Sequence, residues 1–211
     1  MIDNNLPPGV AVFKNKFFLS DEDINVFYEI FESEEYNNSL KSLNVKNILW
    51  NILYKKNKTD IIKNIQKELL VCLAEYVDLY EESVHTLQWQ ERIVLNVLNP
   101  GEKENLFNPC KSDNLNNSIP FSRSLVAEIE LNNNYTGGDK KWLYFKDASK
   151  KNENNCITIY PASFLYSNST SNIIDGRKIF LRTFFNGGKD FLIKDSLLED
   201  NESAYMFSYL R

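Results

Sequence analysis

The chain has a single histidine, His85, among its 211 residues. One copy of the chain therefore lacks the paired imidazoles of a two-histidine metal centre. A nucleophilic triad would need His85 itself as base, and nothing near Glu81, Glu82 and Ser83 completes one. His85 instead reads as a partly exposed structural residue at the start of a strand. Cysteine is scarce as well. Cys72, Cys110 and Cys156 are odd in number and widely spaced, which fits neither a disulfide framework nor a thiolate zinc site, so they read as reduced thiols, with Cys72 and Cys156 buried. No apolar run is long enough to cross a bilayer and the first residues lack the basic start and apolar stretch of a secretion signal, so a cytosolic setting is expected. There is no basic block. The net charge is −5, and the pairs Lys55-Lys56, Lys140-Lys141 and Lys150-Lys151 stand among Asn, Asp and Glu, which reads as solvated loops and not as a nucleic-acid surface. A phosphate-binding glycine loop is missing too: Gly137-Gly138 and Gly187-Gly188 are isolated pairs that read as hairpin turns. Glu102, Glu104 and Asp113 lack calcium-loop spacing, and the two glutamates read as solvated.

What is present is ordinary globular material, 43% hydrophobic, 13% aromatic and 25% charged, in a length that suits one domain over 1–211. Val10 to Phe13 reads as a short strand. Ser20 followed by Asp23 is a helix start of the capping-box kind, and Ile24, Phe27, Tyr28 and Phe31 recur at helical spacing toward Glu32. The run from Ile48 to Tyr54 reads as a strand. Thr59 or Asp60 caps a second, longer helix with an apolar face of Ile61, Ile62, Ile65, Leu69, Cys72, Leu73 and Tyr76. Beyond Val84 the pattern shortens to strands at 84–89, 92–98, 124–131, 142–145, 156–160, 179–185 and 191–193. Helices followed by strands predict an α+β fold, with the helices packed on one sheet of a sandwich or jelly roll. The stretch 101–120 is polar and aperiodic, as functional or disordered loops are. Asparagine is abundant and often paired, and lysine is frequent. Both have A/T-rich codons, which suggests an A/T-rich viral or bacterial genome.

Several phrases, in order, resemble the prolyl-4-hydroxylase-like branch of Fe(II)/2-oxoglutarate oxygenases, including the compact forms carried by phages and other viruses. Phe17-Phe18-Leu19-Ser20-Asp21-Glu22 resembles that family's opening. Asn99-Pro100-Gly101 resembles the end of its Tyr-x-x-Gly strand, with Leu98 in place of tyrosine. Glu130-Leu131-Asn132 through Tyr135-Thr136-Gly137-Gly138 is similar to its Leu-Asn hairpin. Tyr160 to Leu165 is similar to the strand before the distal metal histidine, and Gly176-Arg177-Lys178-Ile179-Phe180-Leu181 to the strand whose basic residue grips the cosubstrate.

The resemblance implies a double-stranded β-helix core (a jelly roll, cupin-like) preceded by helices, and a site in which two histidines and a carboxylate hold iron. It implies positions for that triad which this sequence fills with other residues: Lys111 and Asp113 at the first motif, and Ser167 or Asn168 at the distal histidine. Only Asp113 is a metal ligand of the expected type. For the cosubstrate anchor the last strand favours Lys178 over Arg177, while the alternative leaves both as surface cations. The expectation is thus a non-catalytic member of the fold with no cofactor, acting as a structural or binding module, a virion or assembly component in a viral setting. The alternative is a divergent dioxygenase using Fe(II) and 2-oxoglutarate. The C-terminal extension 195–211, with a short helix at 195–200 and Tyr205, Phe207 and Tyr209 alternating after it, would suit a contact with a protein partner or a second copy. Phe107 and Phe121 are the candidates for filling the former pocket.

Overall fold

Ser20 starts the first helix as the sequence predicts. Its hydroxyl accepts the Asp23 amide at 3.2 Å, and the Asp23 carboxylate accepts the Ser20 amide in return, which satisfies two end-of-helix donors together. The computed structural model describes residues 6–40, 48–87, 89–110, 123–151, 153 and 155–187. Helix α1 (Asp21–Glu32) buries Ile24, Phe27 and Ile30 and is followed by α2 (Glu34–Leu40). In α2, Tyr36 is fully buried. Its hydroxyl donates to the Leu95 carbonyl at 3.0 Å and accepts the Leu95 amide at 2.7 Å, pinning the helix pair to the sheet.

Residues Ile48–Lys55 form α3 and not the strand expected from their apolar run. Ile48, Leu49, Ile52 and Leu53 are the buried ones, a spacing that only a helix places on one face. Asn57, at φ +56°, then turns the chain, and the Lys58 amide bonds back to the Leu53 carbonyl at 2.9 Å. Helix α4 (Thr59–Leu79) follows at once, so its cap position is Lys58, without a side-chain cap, in place of Thr59 or Asp60. The expected strand at 84–89 is a 3₁₀ helix over Glu81–Thr86, which contains His85.

Strands β1 (Ala11–Phe13), β2 (Trp89–Gln90), β3 (Val94–Leu98), β4 (Arg123–Glu130), β8 (Cys156–Pro161) and β11 (Lys178–Asn186) make the main antiparallel sheet, in the order β1-β8-β4-β11-β2 with β3 also on β11. Leu125, Ala127 and Ile129 on β4 face the helices together with Ile157, Ile159, Ile179 and Leu181, forming the larger apolar core with Phe27, Ile30, Leu69 and Leu73. The even-numbered residues of β4 face the other way. Over that face lie two small sheets: β6 (Lys140–Trp142) between β7 (Ser149–Lys150) and β9 (Asn168–Thr170), and β5 (Thr136–Gly137) paired with β10 (Ile173–Asp175). The strand expected at 142–145 thus ends at Trp142.

Part of the expected loop at 101–120 is ordered along these small sheets. Phe107 exchanges both backbone bonds with Asn168, at 2.7 and 3.0 Å, and the Thr170 amide reaches the Glu104 carbonyl at 3.0 Å. Asn132 fixes the approach to β11: its side-chain nitrogen donates to the Arg177 carbonyl at 2.7 Å and its oxygen accepts the Ile179 amide at 2.9 Å. Gly176, at φ +74°, lies against the Asn134 carbonyl, where a Cβ would collide. Cys72 and Cys156 are free and buried, as expected; the strand at 191–193 and the extension at 195–211 lie outside the described residues.

Candidate functional site in the sheet interior

Two charged residues, Glu128 and Glu130, point from β4 into the space between the main sheet and the small sheets, each about 4% exposed. A carboxylate there is tenable only with counter-charges and hydrogen bonds around it. Glu128 has them in excess. Lys140 of β6 lies 2.7 Å from its Oε2, while Arg182 of β11 donates through Nε at 3.0 Å and Nη2 at 2.8 Å to Oε1. The Tyr160 hydroxyl donates to the same oxygen at 2.8 Å. Arg182 also forks onto Glu104, with Nη1 to Oε1 at 2.7 Å and Nη2 to Oε2 at 2.9 Å, and its guanidinium lies 3.8 Å from the centre of the Phe107 ring.

The second cluster is built on Glu130. Lys150 of β7 reaches its Oε2 at 2.8 Å and Lys178 of β11 its Oε1 at 3.2 Å. The Glu153 amide donates to Oε2 at 3.1 Å, and Lys178 donates further to the Gly138 carbonyl at 3.2 Å. Burial alone would raise both carboxyls, but Lys140 and Arg182 hold Glu128 well below the usual carboxylate range, and Lys150 and Lys178 hold Glu130 at about 2. Burial pushes the neighbouring Cys156 thiol up to about 12, with Glu130 adding to it, so this cysteine is an inert thiol and no thiolate ligand.

The predicted site residues separate on this frame. Asn168 is fully buried in the first cluster. Its Oδ1 accepts from Lys140 at 2.8 Å, and its Nδ2 donates to the Tyr166 carbonyl at 3.0 Å and to the Tyr160 hydroxyl at 3.3 Å. Ser167, beside it, turns its hydroxyl back onto the Phe164 carbonyl at 2.6 Å. Lys178 is buried against Glu130, which corrects the alternative that it is a surface cation. Arg177 is exposed, pairs with Glu32 at 3.0 Å and lies over the Tyr28 ring at the open groove beside α1. Phe107 packs beside Phe184 under Arg182 and so fills part of the interior. Lys111, Asp113 and Phe121 lie outside the described residues.

Lys140, Lys150 and Glu104 correct the sequence reading, which took all three as solvated. In the two Lys-Lys pairs of the small sheets the first residue is buried and the second, Lys141 or Lys151, is exposed, as strand alternation requires. The available signal was Glu128 and Glu130 at alternate positions of an otherwise apolar strand, which calls for inward cations.

Iron and 2-oxoglutarate do not fit the side chains that the described residues bring together. Among the described residues no three His, Cys, Asp or Glu side chains converge as metal ligands. The two inward carboxylates are already neutralised by cations that would repel Fe(II), and the amide of Asn168 is a poor replacement for an imidazole. Lys178, which the resemblance implied as the cation for a cosubstrate carboxylate, is paired with Glu130.

No protein-family model matches the sequence, and no curated protein is significantly similar to it. Solved structures do match. A viral collagen prolyl hydroxylase from Paramecium bursaria Chlorella virus 1, in complex with 2-oxoglutarate, aligns over 86% of this chain and 97% of its own, with a TM-score of 0.56 at 12% identity. A prolyl hydroxylase from Trichoplax adhaerens, solved with a hypoxia-inducible-factor peptide, covers 85% and 84% with a TM-score of 0.58 at 11% identity. A prolyl 4-hydroxylase from Phytophthora capsici gives 0.52 at 13% identity, over 86% of this chain and 60% of its own. The chain has the prolyl-hydroxylase-like jelly-roll fold, as its sequence phrases implied. At these identities the likeness is one of fold.

Proposed function

We propose that this chain is a non-catalytic protein on the oxygenase fold, serving as a structural or binding module. The observation that carries the reading is the ion lattice between the sheets, where Glu128 and Glu130 are each clamped by two buried cations. Such a lattice binds the small sheets to the main one and leaves neither its carboxylates nor its cations free for a metal or a keto acid. No metal or cosubstrate belongs to this reading. The partner is a protein or a second copy, engaged through the extension at 195–211. A viral setting, with the protein in the virion or in the cytosol of the infected cell, rests on the asparagine- and lysine-rich composition.

The fold likeness to prolyl hydroxylases over most of the chain favours one other reading, a divergent Fe(II)/2-oxoglutarate dioxygenase. Its ligands would come from Asp113 and from residues outside the lattice or on a partner chain. Anaerobic addition of Fe(II) and 2-oxoglutarate, followed by oxygen, separates the two. The non-catalytic reading expects no visible charge-transfer band and no succinate above a protein-free control, whereas a band followed by succinate formation establishes the dioxygenase.

A further inference from the structure

The first cluster contains an arrangement that neither a plain ion pair nor the non-catalytic reading requires. Strands β6 and β9 are antiparallel, with Trp142 opposite Asn168 and Lys140 opposite Thr170, so Lys140 and Asn168 are diagonal neighbours on one face. The Lys140 Nζ lies 2.8 Å from the Asn168 side-chain oxygen and 2.7 Å from Glu128. Tyr160 closes a ring: its hydroxyl donates to Glu128 at 2.8 Å and accepts from the Asn168 nitrogen at 3.3 Å. None of the four residues is more than 4% exposed, and Val126, Trp142 and Phe184 wall the cluster.

We propose that Lys140 and Asn168 become joined by an intramolecular isopeptide bond, with Glu128 and Tyr160 relaying the protons. The Lys140 amine attacks the Asn168 side-chain carbonyl carbon, forming the new C–N bond as the bond from that carbon to Nδ2 breaks. Glu128 takes the two protons the lysine nitrogen must lose, one before attack and one after, and hands each on through the Tyr160 hydroxyl to the departing nitrogen, which leaves as ammonium. Lysine ammonium and primary amide become a secondary amide and ammonium, with no oxidant or reductant involved. The 2.8 Å contact between amine and amide makes the encounter intramolecular. Burial lowers the Lys140 pKa, which favours the neutral nucleophile. Arg182 opposes the step by stabilising the Glu128 carboxylate, so the reaction is slow; one turnover in the life of the molecule is enough. The product staples β6 to β9 covalently in a protein whose described cysteines are all free.

The test is the intact mass of the full chain, purified and held at neutral pH, beside Lys140→Arg. The expected result is a wild-type mass about 17 Da below the sequence mass, a branched peptide linking the Lys140 and Asn168 segments after digestion, and K140R at its sequence mass. Wild-type protein at the sequence mass overturns the proposal whether or not the variant folds. So does a loss of the same size that persists in K140R, or one that mild alkali converts to a gain of about 1 Da, since an asparagine succinimide behaves that way. Tyr160→Phe serves as a second variant and is expected to slow the loss of mass.

Discussion

The two faces of β4 are equally buried and built from opposite materials. Toward the helices it presents Leu125, Ala127 and Ile129; toward the small sheets it presents Val126, Glu128 and Glu130. On the helix side the requirement is volume, and any set of aliphatic side chains that fills the space against α1 and α4 meets it. On the inner side each charge is tenable because a named opposite charge and several hydrogen bonds surround it, so the residues are interdependent. Depth of burial therefore says little about what a face is for.

Breaking the inner face at its centre should have the largest effect. Glu128→Ala leaves Lys140 and Arg182 without their shared carboxylate, and the expected loss is about 3–5 kcal/mol in a urea unfolding series. On the helix side, Leu181→Ala should cost about 2–5 kcal/mol through a cavity, and Leu181→Met less than about 1.5 kcal/mol. No conservative change at Glu128 should be tolerated as well, and a Glu128→Gln variant as stable as wild type would erase the distinction between the faces. Acid separates them further. Glu130 is held at about 2 in the folded chain against about 4.3 when unfolded, so its contribution is complete above the unfolded value and is lost as the pH falls toward 2. Glu130→Gln should flatten the melting temperature against pH below about pH 5, removing a term on the order of 2–3 kcal/mol, while Leu181→Met should leave that slope unchanged. At the edge of the helical layer, Ser20→Ala should cost about 0.5–2 kcal/mol. Breaking the exposed Lys55–Glu35 pair should cost about 0–1 kcal/mol, although its 2.6 Å separation is shorter than those of the buried pairs.

The same contrast explains what could be read from the sequence. The capped helix at Ser20, the long helix α4 and the main strands announce themselves by local pattern, and the Leu131-Asn132 phrase marks the approach to β11; Gly137-Gly138, read as a hairpin turn, instead places Gly137 in β5, paired with β10. The run at 48–54 misled because seven residues of mostly apolar character fit either period, and packing between α2 and α4 decided for the helix, which runs on to Lys55. Lys140 and Lys150 misled for a different reason. A lysine pair in a polar stretch looks solvated, and only the pairing of short strands β6 and β7 sends one member of each pair inward to Glu128 and Glu130. Asn168 was legible as a position of interest through the family resemblance, but its neighbours Lys140 and Tyr160 come from strands elsewhere in the chain, and one-dimensional spacing carries no trace of that convergence.

The claim that this interior has been given over to the chain's own ion lattice is tested most directly by anaerobic equilibrium dialysis of the full-length protein against Fe(II) with 2-oxoglutarate. The expected result is that neither is retained above the level of a protein-free chamber. Retention of one iron and one 2-oxoglutarate per chain, lost in Lys178→Ala, would contradict it.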